Sequence, residues 1–252
     1  MRLVYWLTLP VVLVAAWWVA TAGSEDFYVP PLRTILETAP DVWTPTRLRT
    51  DVLPSLLRLL AGFGLALLLG VAVGVLIGGS PRVRATVEPV LEFVRAVPPP
   101  VLVPVIMLFA GIGDGMKILV IVSGCVWPIL LNTVEGVRAV DGVLAETARS
   151  YGLTGPARLW RLVLPAAGPQ IVAGARQALS LAIILMVISE MFAASSGLGY
   201  TIVEFQRSFA IPEMWTGIIL LGLLGVVLSG LFRLAENVLL GWYHGLRRAQ
   251  KG

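Results

Sequence analysis

The sequence is short of charged residues, and this shortage sets the class of protein. Only 13% of its 252 residues are Asp, Glu, Lys or Arg, while 57% belong to the hydrophobic set. A soluble domain carries roughly a quarter charged residues, which it needs to cover its surface. With a mean hydropathy of +0.87, the chain is expected to have lipid rather than water around most of its surface.

Cysteine and histidine are almost absent. The single cysteine, Cys125, cannot form an internal disulfide or a thiolate metal site. The single histidine, His244, lies in the C-terminal tail, which argues against a Ser-His-Asp hydrolase or a histidine metal site. No cofactor and no metal are therefore expected. The formal net charge of +4 comes without a basic cluster interleaved with aromatics, so no nucleic-acid partner is expected either.

Six apolar runs are long enough to cross the roughly 30 Å of hydrocarbon in a bilayer. They lie at about 3–22, 56–78, 90–112, 116–135, 169–194 and 213–239. The sequence therefore predicts an all-α polytopic membrane protein with about six transmembrane helices. The first run, which ends at Ala20-Thr21-Ala22, also fits a cleaved signal peptide. Its length and the interfacial pair Trp17-Trp18 favour a helix that is retained.

The basic residues predict the orientation of the chain in the membrane. With the N-terminus inside, the inner segments hold ten basic residues and the outer segments hold five. The inner set is Arg2, Arg82, Arg84, Arg138, Arg149, Arg158, Arg161, Arg247, Arg248 and Lys251, and the outer set is Arg33, Arg47, Arg49, Lys117 and Arg207. This positive-inside bias favours both termini in the cytoplasm. Residues 23–55 are then external, and residues 136–167 are internal.

The internal segment has clear helix boundaries. Asp141 suits the N-cap of a short helix, and Gly152 suits the left-handed residue that ends it. Pro156 predicts the start of a second short helix, and Pro165 predicts its end. We therefore expect two short helices joined by a tight glycine turn at the cytoplasmic face.

This segment resembles the cytoplasmic motif of importer permeases of the ATP-binding-cassette (ABC) superfamily. That motif reads Glu-Ala-Ala, three residues, glycine, nine residues, then Ile-x-Leu-Pro. The spacing here matches throughout, with threonine replacing the first alanine and leucine replacing isoleucine. The matching residues are Glu146, Thr147, Ala148, Gly152, Leu162, Leu164 and Pro165.

The resemblance implies a type I ABC importer permease fold that works with other subunits. By this resemblance the loop docks into a groove on a cytoplasmic ATPase subunit, with Glu146 as the charged contact and Gly152 as the turn. A second permease copy completes the pathway, an extracytoplasmic binding protein delivers the solute, and alternating access moves it across a bacterial inner membrane. Neither Lys117 nor Lys251 follows a glycine, so the chain lacks a P-loop and is expected to be a transport subunit rather than an enzyme.

Five further pieces of sequence are similar to the nitrate, sulfonate and taurine branch of these permeases. They are Arg95-Ala-Val-Pro-Pro-Pro100, Phe109-Ala-Gly-Ile-Gly113, Ser189-Glu-Met191, Gly197-Leu-Gly-Tyr200 and Pro212-Glu-Met-Trp-Thr-Gly217. This likeness implies a small oxyanion as the solute. The branch also handles aromatic acids and pyrimidine-type vitamin precursors, so the sequence leaves the substrate open.

Polar and helix-breaking residues inside the spans are the candidates for lining the pathway. Pro98, Pro99 and Pro100 predict a kink, which either exposes freed carbonyls to the pathway or only shapes the bundle. Glu190, near the outer end of the fifth span, is predicted either to line the pathway or to lie at the interface. Two further polar candidates in the fourth span are Ser123 and Asn132.

The predicted organisation has four parts. They are an N-terminal transmembrane helix at 1–22, an external segment at 23–55, a permease core at 56–240 that includes the loop 136–167, and a cytoplasmic tail at 241–252. Within the core, one face of the second helix predicts close helix packing through Gly70, Gly74 and Gly78. Two other classes stay open: an ion-coupled transporter or channel, which would need paired intramembrane carboxylates, and an intramembrane enzyme, which would need a base near its nucleophile.

Overall fold

The computed structural model describes residues 2–192 and 194–243, with side chains described from Thr8 onward, and these residues contain helices and no strand. The helices are α1 Arg2–Thr21, α2 Leu32–Val42, α3 Pro45–Arg47, α4 Leu53–Gly78, α5 Pro81–Arg95, α6 Val103–Ala110, α7 Asp114–Arg138, α8 Gly142–Ser150, α9 Gly155–Arg158, α10 Leu164–Phe192, α11 Leu198–Arg207 and α12 Ile211–Leu239. His244 and the rest of the predicted tail beyond Tyr243 lie outside the described residues.

Four helical stretches are long and apolar enough to cross a membrane. They are Pro45–Gly78, Asp114–Arg138, Gly155–Phe192 and Ile211–Leu239. A fifth span arises only if α5 and the following Pro99–Ala110 are counted together, and these two are bent by 82°. The apolar part of α1 that has described side chains, Thr8–Thr21, is shorter than a full span. The all-α polytopic prediction is confirmed. Four of the six predicted spans lie in these four stretches, and the first predicted span lies in the continuous helix α1.

The third predicted span, 90–112, is wrong as a single helix. Its first helix, α5, begins at Pro81, where the Ser80 hydroxyl accepts a hydrogen bond from the Val83 N–H at 3.5 Å. The helix ends at Arg95, and a 3₁₀ turn at Pro99–Leu102 leads into α6. The prolines explain the break, because each lacks an N–H and disfavours a helical residue before it.

The chain divides into two compact units. The first, unit 1, consists of Met1–Ser55 and Ser195–Leu224, and the second, unit 2, consists of Leu56–Ala194 and Gly225–Gly252. In unit 1 the amphipathic helix α2 buries Leu32, Ile35 and Val42. The Trp43 indole N–H in the same unit donates to the Thr216 hydroxyl at 3.0 Å.

The glycine face of α4 packs directly against α7 in unit 2. A Cβ added at Gly70 would lie 2.8 Å from Ile129 Cγ2, and one at Gly74 would lie 2.6 Å from Thr133 Cβ. At Gly78 the added Cβ would lie 2.9 Å from Val137 Cβ. Real Cβ atoms do not approach other atoms this closely, so these sites hold glycine because the two helices touch. The predicted close packing is confirmed.

The same ten-residue pattern begins two of the long helical stretches. Residues 45–54 and 156–165 both read Pro-x-Arg-Leu-x-x-x-Val-Leu-Pro. In each copy a π-turn, Leu48–Val52 or Leu159–Val163, links a short helix to the long helix that follows. The prediction that Pro165 ends a short helix is therefore wrong, because Gly155–Phe192 is one helical stretch. The π-turn widens the backbone just before the proline and lets the helix continue through it.

Candidate functional site

The short helix α8 is capped at both ends, as predicted. Asp141 Oδ1 accepts a hydrogen bond from the Leu144 N–H at 3.0 Å. At the other end Gly152 has a φ of +72°, which other residues adopt only with strain. The Leu153 N–H then bonds back to the Ala148 carbonyl at 2.9 Å, closing the helix in the manner of a Schellman motif. The loop therefore presents α8 in one defined conformation.

Four large apolar side chains are exposed on this loop, among charged and polar ones. Val143, Leu144, Tyr151 and Trp160 are 71%, 54%, 82% and 70% exposed, and we call these four residues the loop surface. Of the matched motif residues, Glu146, Thr147, Gly152 and Pro165 are exposed, Leu162 and Leu164 are half-buried, and Ala148 is buried. The sequence motif located the loop, whereas the large apolar residues of the loop surface lie at positions that the motif leaves unspecified.

An open cleft lies between the loop and the ends of α4 and α7 in unit 2. It has a volume of about 310 Å³, and its lining includes Gly79, Val137, Ala145, Arg158 and Val163. Only Ala148 of α8 is buried. The helix is therefore held mainly through its two ends rather than by a continuous packed face.

A cluster of four charged side chains lies in unit 2 where α4, α7 and α10 meet. Arg58 Nη1 donates to Glu190 Oε1 at 2.7 Å, and Arg58 Nε donates to Asp114 Oδ1 at 2.8 Å. Lys117 Nζ lies 3.5 Å from the same Asp114 oxygen. The side chains of Arg58, Glu190 and Lys117 are 6%, 0% and 5% exposed, and that of Asp114 is 67% exposed. We call these four residues the charge cluster.

The charge cluster is at the opposite end of α7 and α10 from the loop. Asp114 is the first residue of α7, whose last residue, Arg138, lies just before the loop. Glu190 lies near the end of α10, which the loop leads into. Sequence reasoning selected Glu190 but missed its partner. The available signal was that Arg58 and Glu190 are isolated charges of opposite sign in two different apolar runs.

The other predicted pathway residues lie in α7 and in the proline segment before α6. Ser123 Oγ donates to the Val120 carbonyl at 2.7 Å, and Asn132 Nδ2 donates to the Pro128 carbonyl at 2.8 Å, both within α7. Pro99 is half-buried beside α7, while Pro98 and Pro100 are exposed. Their role in lining a pathway stays a prediction. Among the described residues, no three His, Cys, Asp or Glu side chains are grouped as metal ligands would be.

Comparison with known proteins gives consistent matches. Residues 66–239 match the family described as the binding-protein-dependent transport system inner membrane component. The taurine transport system permease protein TauC of Escherichia coli is 30% identical over 242 residues, covering 94% of this chain and 88% of TauC. A Bacillus subtilis protein named as an aliphatic sulfonates transport permease, SsuC, is 32% identical over 238 residues, covering 94% of this chain and 86% of SsuC.

A solved structure shares the fold. A chain of the MetNI methionine ABC transporter, in an inward-facing conformation, superposes with a TM-score of 0.60 and 23% identity. The match covers 76% of this chain and 94% of the transporter chain. At this identity the likeness concerns the fold alone.

Proposed function

Because this chain belongs to the family of binding-protein-dependent transport system inner membrane components, we propose that its segment Asp141–Pro165 is the surface that binds the driving ATPase. The chain is a permease subunit of an ABC importer and is a transport component rather than an enzyme. Such importers pair a permease with an ATPase and a substrate-binding protein. Membership of this family sets aside the two alternative functions, an ion-coupled transporter and an intramembrane enzyme.

The loop surface is the observation that carries the proposal. Val143, Tyr151 and Trp160 are large apolar side chains that are 70% or more exposed on the isolated chain. Fully burying a side chain of this kind is worth about 1.5–3 kcal/mol. Tyrosine and tryptophan are also enriched among the residues that dominate binding energy at protein interfaces. A protein partner that covers α8 and the turn after it would remove this apolar area from water.

The other motif residues shape or complement that surface. Glu146 is exposed on α8 and provides the charged contact, next to Thr147. Ala148 is buried and fixes the inner side of the helix. Gly152 makes the turn that follows Tyr151, the C-cap residue of α8. Leu162, Leu164 and Pro165 join the loop to α10, so that a force applied to the loop acts on a long helix.

The loop faces the cytoplasm in this proposal, and both termini lie on the same side. The support is the bias of ten inner against five outer basic residues in the sequence. Arg149, Arg158 and Arg161 of the loop itself belong to the inner set, and all three are exposed. The charge cluster then lies at the outer end of unit 2.

The proposed solute is a small oxyanion of the sulfonate, taurine or nitrate type. The likeness of this chain to TauC and SsuC supports this class. Two copies of the permease form the pathway, two ATPase subunits bind the two loops, and an extracytoplasmic binding protein delivers the solute. ATP-driven closure of the ATPases moves the loops and switches the pathway between its inward and outward openings.

Tyr151→Ala tests the loop surface. Removal of the Tyr151 side chain should lower the affinity of the permease for the cognate ATPase about 10- to 30-fold, the usual effect of losing a dominant aromatic residue at an interface. The measurement is the amount of ATPase that co-purifies with the tagged permease from membranes, followed by titration of the purified subunits.

The matched control is Tyr28→Ala, which removes an equally large tyrosine that is 63% exposed in unit 1. The control should retain ATPase with unchanged affinity. Equal affinity of the Tyr151→Ala variant and the wild-type chain would contradict the proposed docking surface. Oxyanion import is tested separately, by uptake of labelled taurine and nitrate into vesicles that hold the complete transporter.

A further inference from the structure

The guanidinium of Arg58 is shared between two carboxylates with very different surroundings. Its Nη1 is 2.7 Å from Glu190 Oε1, which is fully buried, and its Nε is 2.8 Å from Asp114 Oδ1, which belongs to an exposed side chain. Arg58 itself is 6% exposed. Glu190 therefore fixes the arginine inside the bundle, while Asp114 binds it from the solvent side.

Asp114 Oδ1 is held by two cations rather than one. The ammonium of Lys117 lies 3.5 Å from the same oxygen that Arg58 Nε binds. The Lys117 side chain is 5% exposed, so its charge depends on the anions close to it. Two buried cations thus converge on one carboxylate oxygen that comes from an exposed residue.

The four charges balance only while Asp114 stays in place. Arg58 and Lys117 contribute two positive charges, and Glu190 and Asp114 contribute two negative charges. If the Asp114 side chain turns out to solvent, Glu190 is the one carboxylate of this cluster that stays beside the two cations. Asp114 is 67% exposed, so of the four side chains it is the one that a dissolved anion can reach. An anion that takes its place keeps the two buried cations compensated, whereas a vacant position would leave a buried charge without its partner.

We infer that Arg58 and Lys117 form an oxyanion subsite, and that Asp114 occupies this subsite as an internal substitute until an anionic solute displaces it. An oxygen of nitrate, a sulfonate or a carboxylate is a hydrogen-bond acceptor of the same kind as Asp114 Oδ1. The planar guanidinium matches such oxygens geometrically. The inference rests on the proposed function, since it names the groups of this chain that meet an oxyanion solute.

Glu190 acts as a positioning residue in this subsite. Its bond to Nη1 keeps the guanidinium oriented when Asp114 leaves, so that Nε still points toward the solvent side. It also holds the subsite to one excess positive charge, which suits a monovalent anion. A subsite with Arg58 and Lys117 alone would carry two uncompensated charges in a buried position, which is costly.

The test is anion binding to the purified permease–ATPase complex without ATP. Thermal unfolding is followed while sodium nitrate or sodium ethanesulfonate replaces sodium chloride at constant ionic strength. Ligands that bind the folded state raise the Tm in proportion to their affinity. Asp114→Asn removes the competing carboxylate and should tighten nitrate and ethanesulfonate binding about five- to tenfold, because the anion no longer has to displace a charged side chain. Lys117→Gln should abolish the Tm response to both anions.

The control is Asp41→Asn, which makes the same chemical change at an exposed aspartate of α2. It should give the wild-type titration. A wild-type titration for Asp114→Asn would overturn the subsite, whether or not Lys117→Gln folds. This failure is distinct from failure of the proposed function. In the latter case the wild-type complex with its binding protein would take up neither taurine nor nitrate, a result that does not depend on the Asp114→Asn titration.

Discussion

The contact between α4 and α7 gives the sharpest stability prediction. At Gly74 an added Cβ would lie 2.6 Å from Thr133 Cβ, 2.8 Å from Thr133 Cγ2 and 3.0 Å from the Leu130 carbonyl oxygen. Two of these atoms are fixed by the backbone of α7, so they cannot rotate away. Gly74→Ala must therefore push the two helices apart, and we expect a destabilisation of about 1–3 kcal/mol, the usual effect of overpacking.

The matched control lies on the same helix. Gly64 has no atom within 4 Å of its added Cβ, so Gly64→Ala adds a methyl group in open space. Its effect should be neutral or stabilising by up to about 1 kcal/mol, because alanine restricts the unfolded chain and favours helix. The assay is unfolding of both variants in mixed micelles by increasing fractions of denaturing detergent, followed by circular dichroism. If Gly74→Ala unfolds at the same midpoint as Gly64→Ala, the close contact between α4 and α7 does not exist.

Two further predictions concern the charge cluster and α8. Glu190→Ala leaves Arg58 buried with Asp114 as its exposed carboxylate partner, and should lower the free energy of unfolding by about 3 kcal/mol, measured by the same detergent titration. The control Glu37→Ala breaks the exposed ion pair of Arg33 and Glu37 in α2 and should change the free energy of unfolding by less than about 1 kcal/mol. Asp141→Ala removes the N-cap of α8 and should weaken ATPase binding about fivefold through a loss of about 1 kcal/mol, while Asp141→Ser should restore it, as measured by subunit titration. Equal binding by the alanine and serine variants would mean that the cap does not matter for docking.

Local signals in the sequence predicted those parts of the fold that local physics determines. Asp141 and Gly152 mark the ends of α8 because a cap needs one side chain and a left-handed turn needs a residue without a Cβ. The face with Gly70, Gly74 and Gly78 predicted a helix contact because small residues at four-residue spacing allow close approach. The break at Pro98 followed from missing backbone donors.

One error was local in the sequence, and one omission concerned residues far apart in it. Pro165 does not end a helix, because the π-turn at Leu159–Val163 absorbs the backbone distortion that the proline causes. The rule that proline ends a helix takes no account of such a turn. The partner of Glu190 was missed because Arg58 is 132 residues away in the sequence. The spacing of residues along one helix shows which residues of that helix are too far from Glu190 to pair with it. It carries no information about which residue of another helix lies beside Glu190.

The packing of α7 against α10 connects the loop to the charge cluster. A Cβ added at Gly124 would lie 2.3 Å from Leu185 Cδ1, one at Gly136 would lie 3.0 Å from the Ala167 carbonyl oxygen, and one at Gly174 would lie 2.5 Å from the Pro128 carbonyl oxygen. These contacts are spread along α7, which has 25 residues and a length of about 37 Å. A side chain at any of these three positions would clash, so glycine lets α7 and α10 pack closely along their length. Asp114 lies on α7 and Glu190 on α10, and the glycine contacts of α4 with α7 hold the helix that carries Arg58 against the same pair.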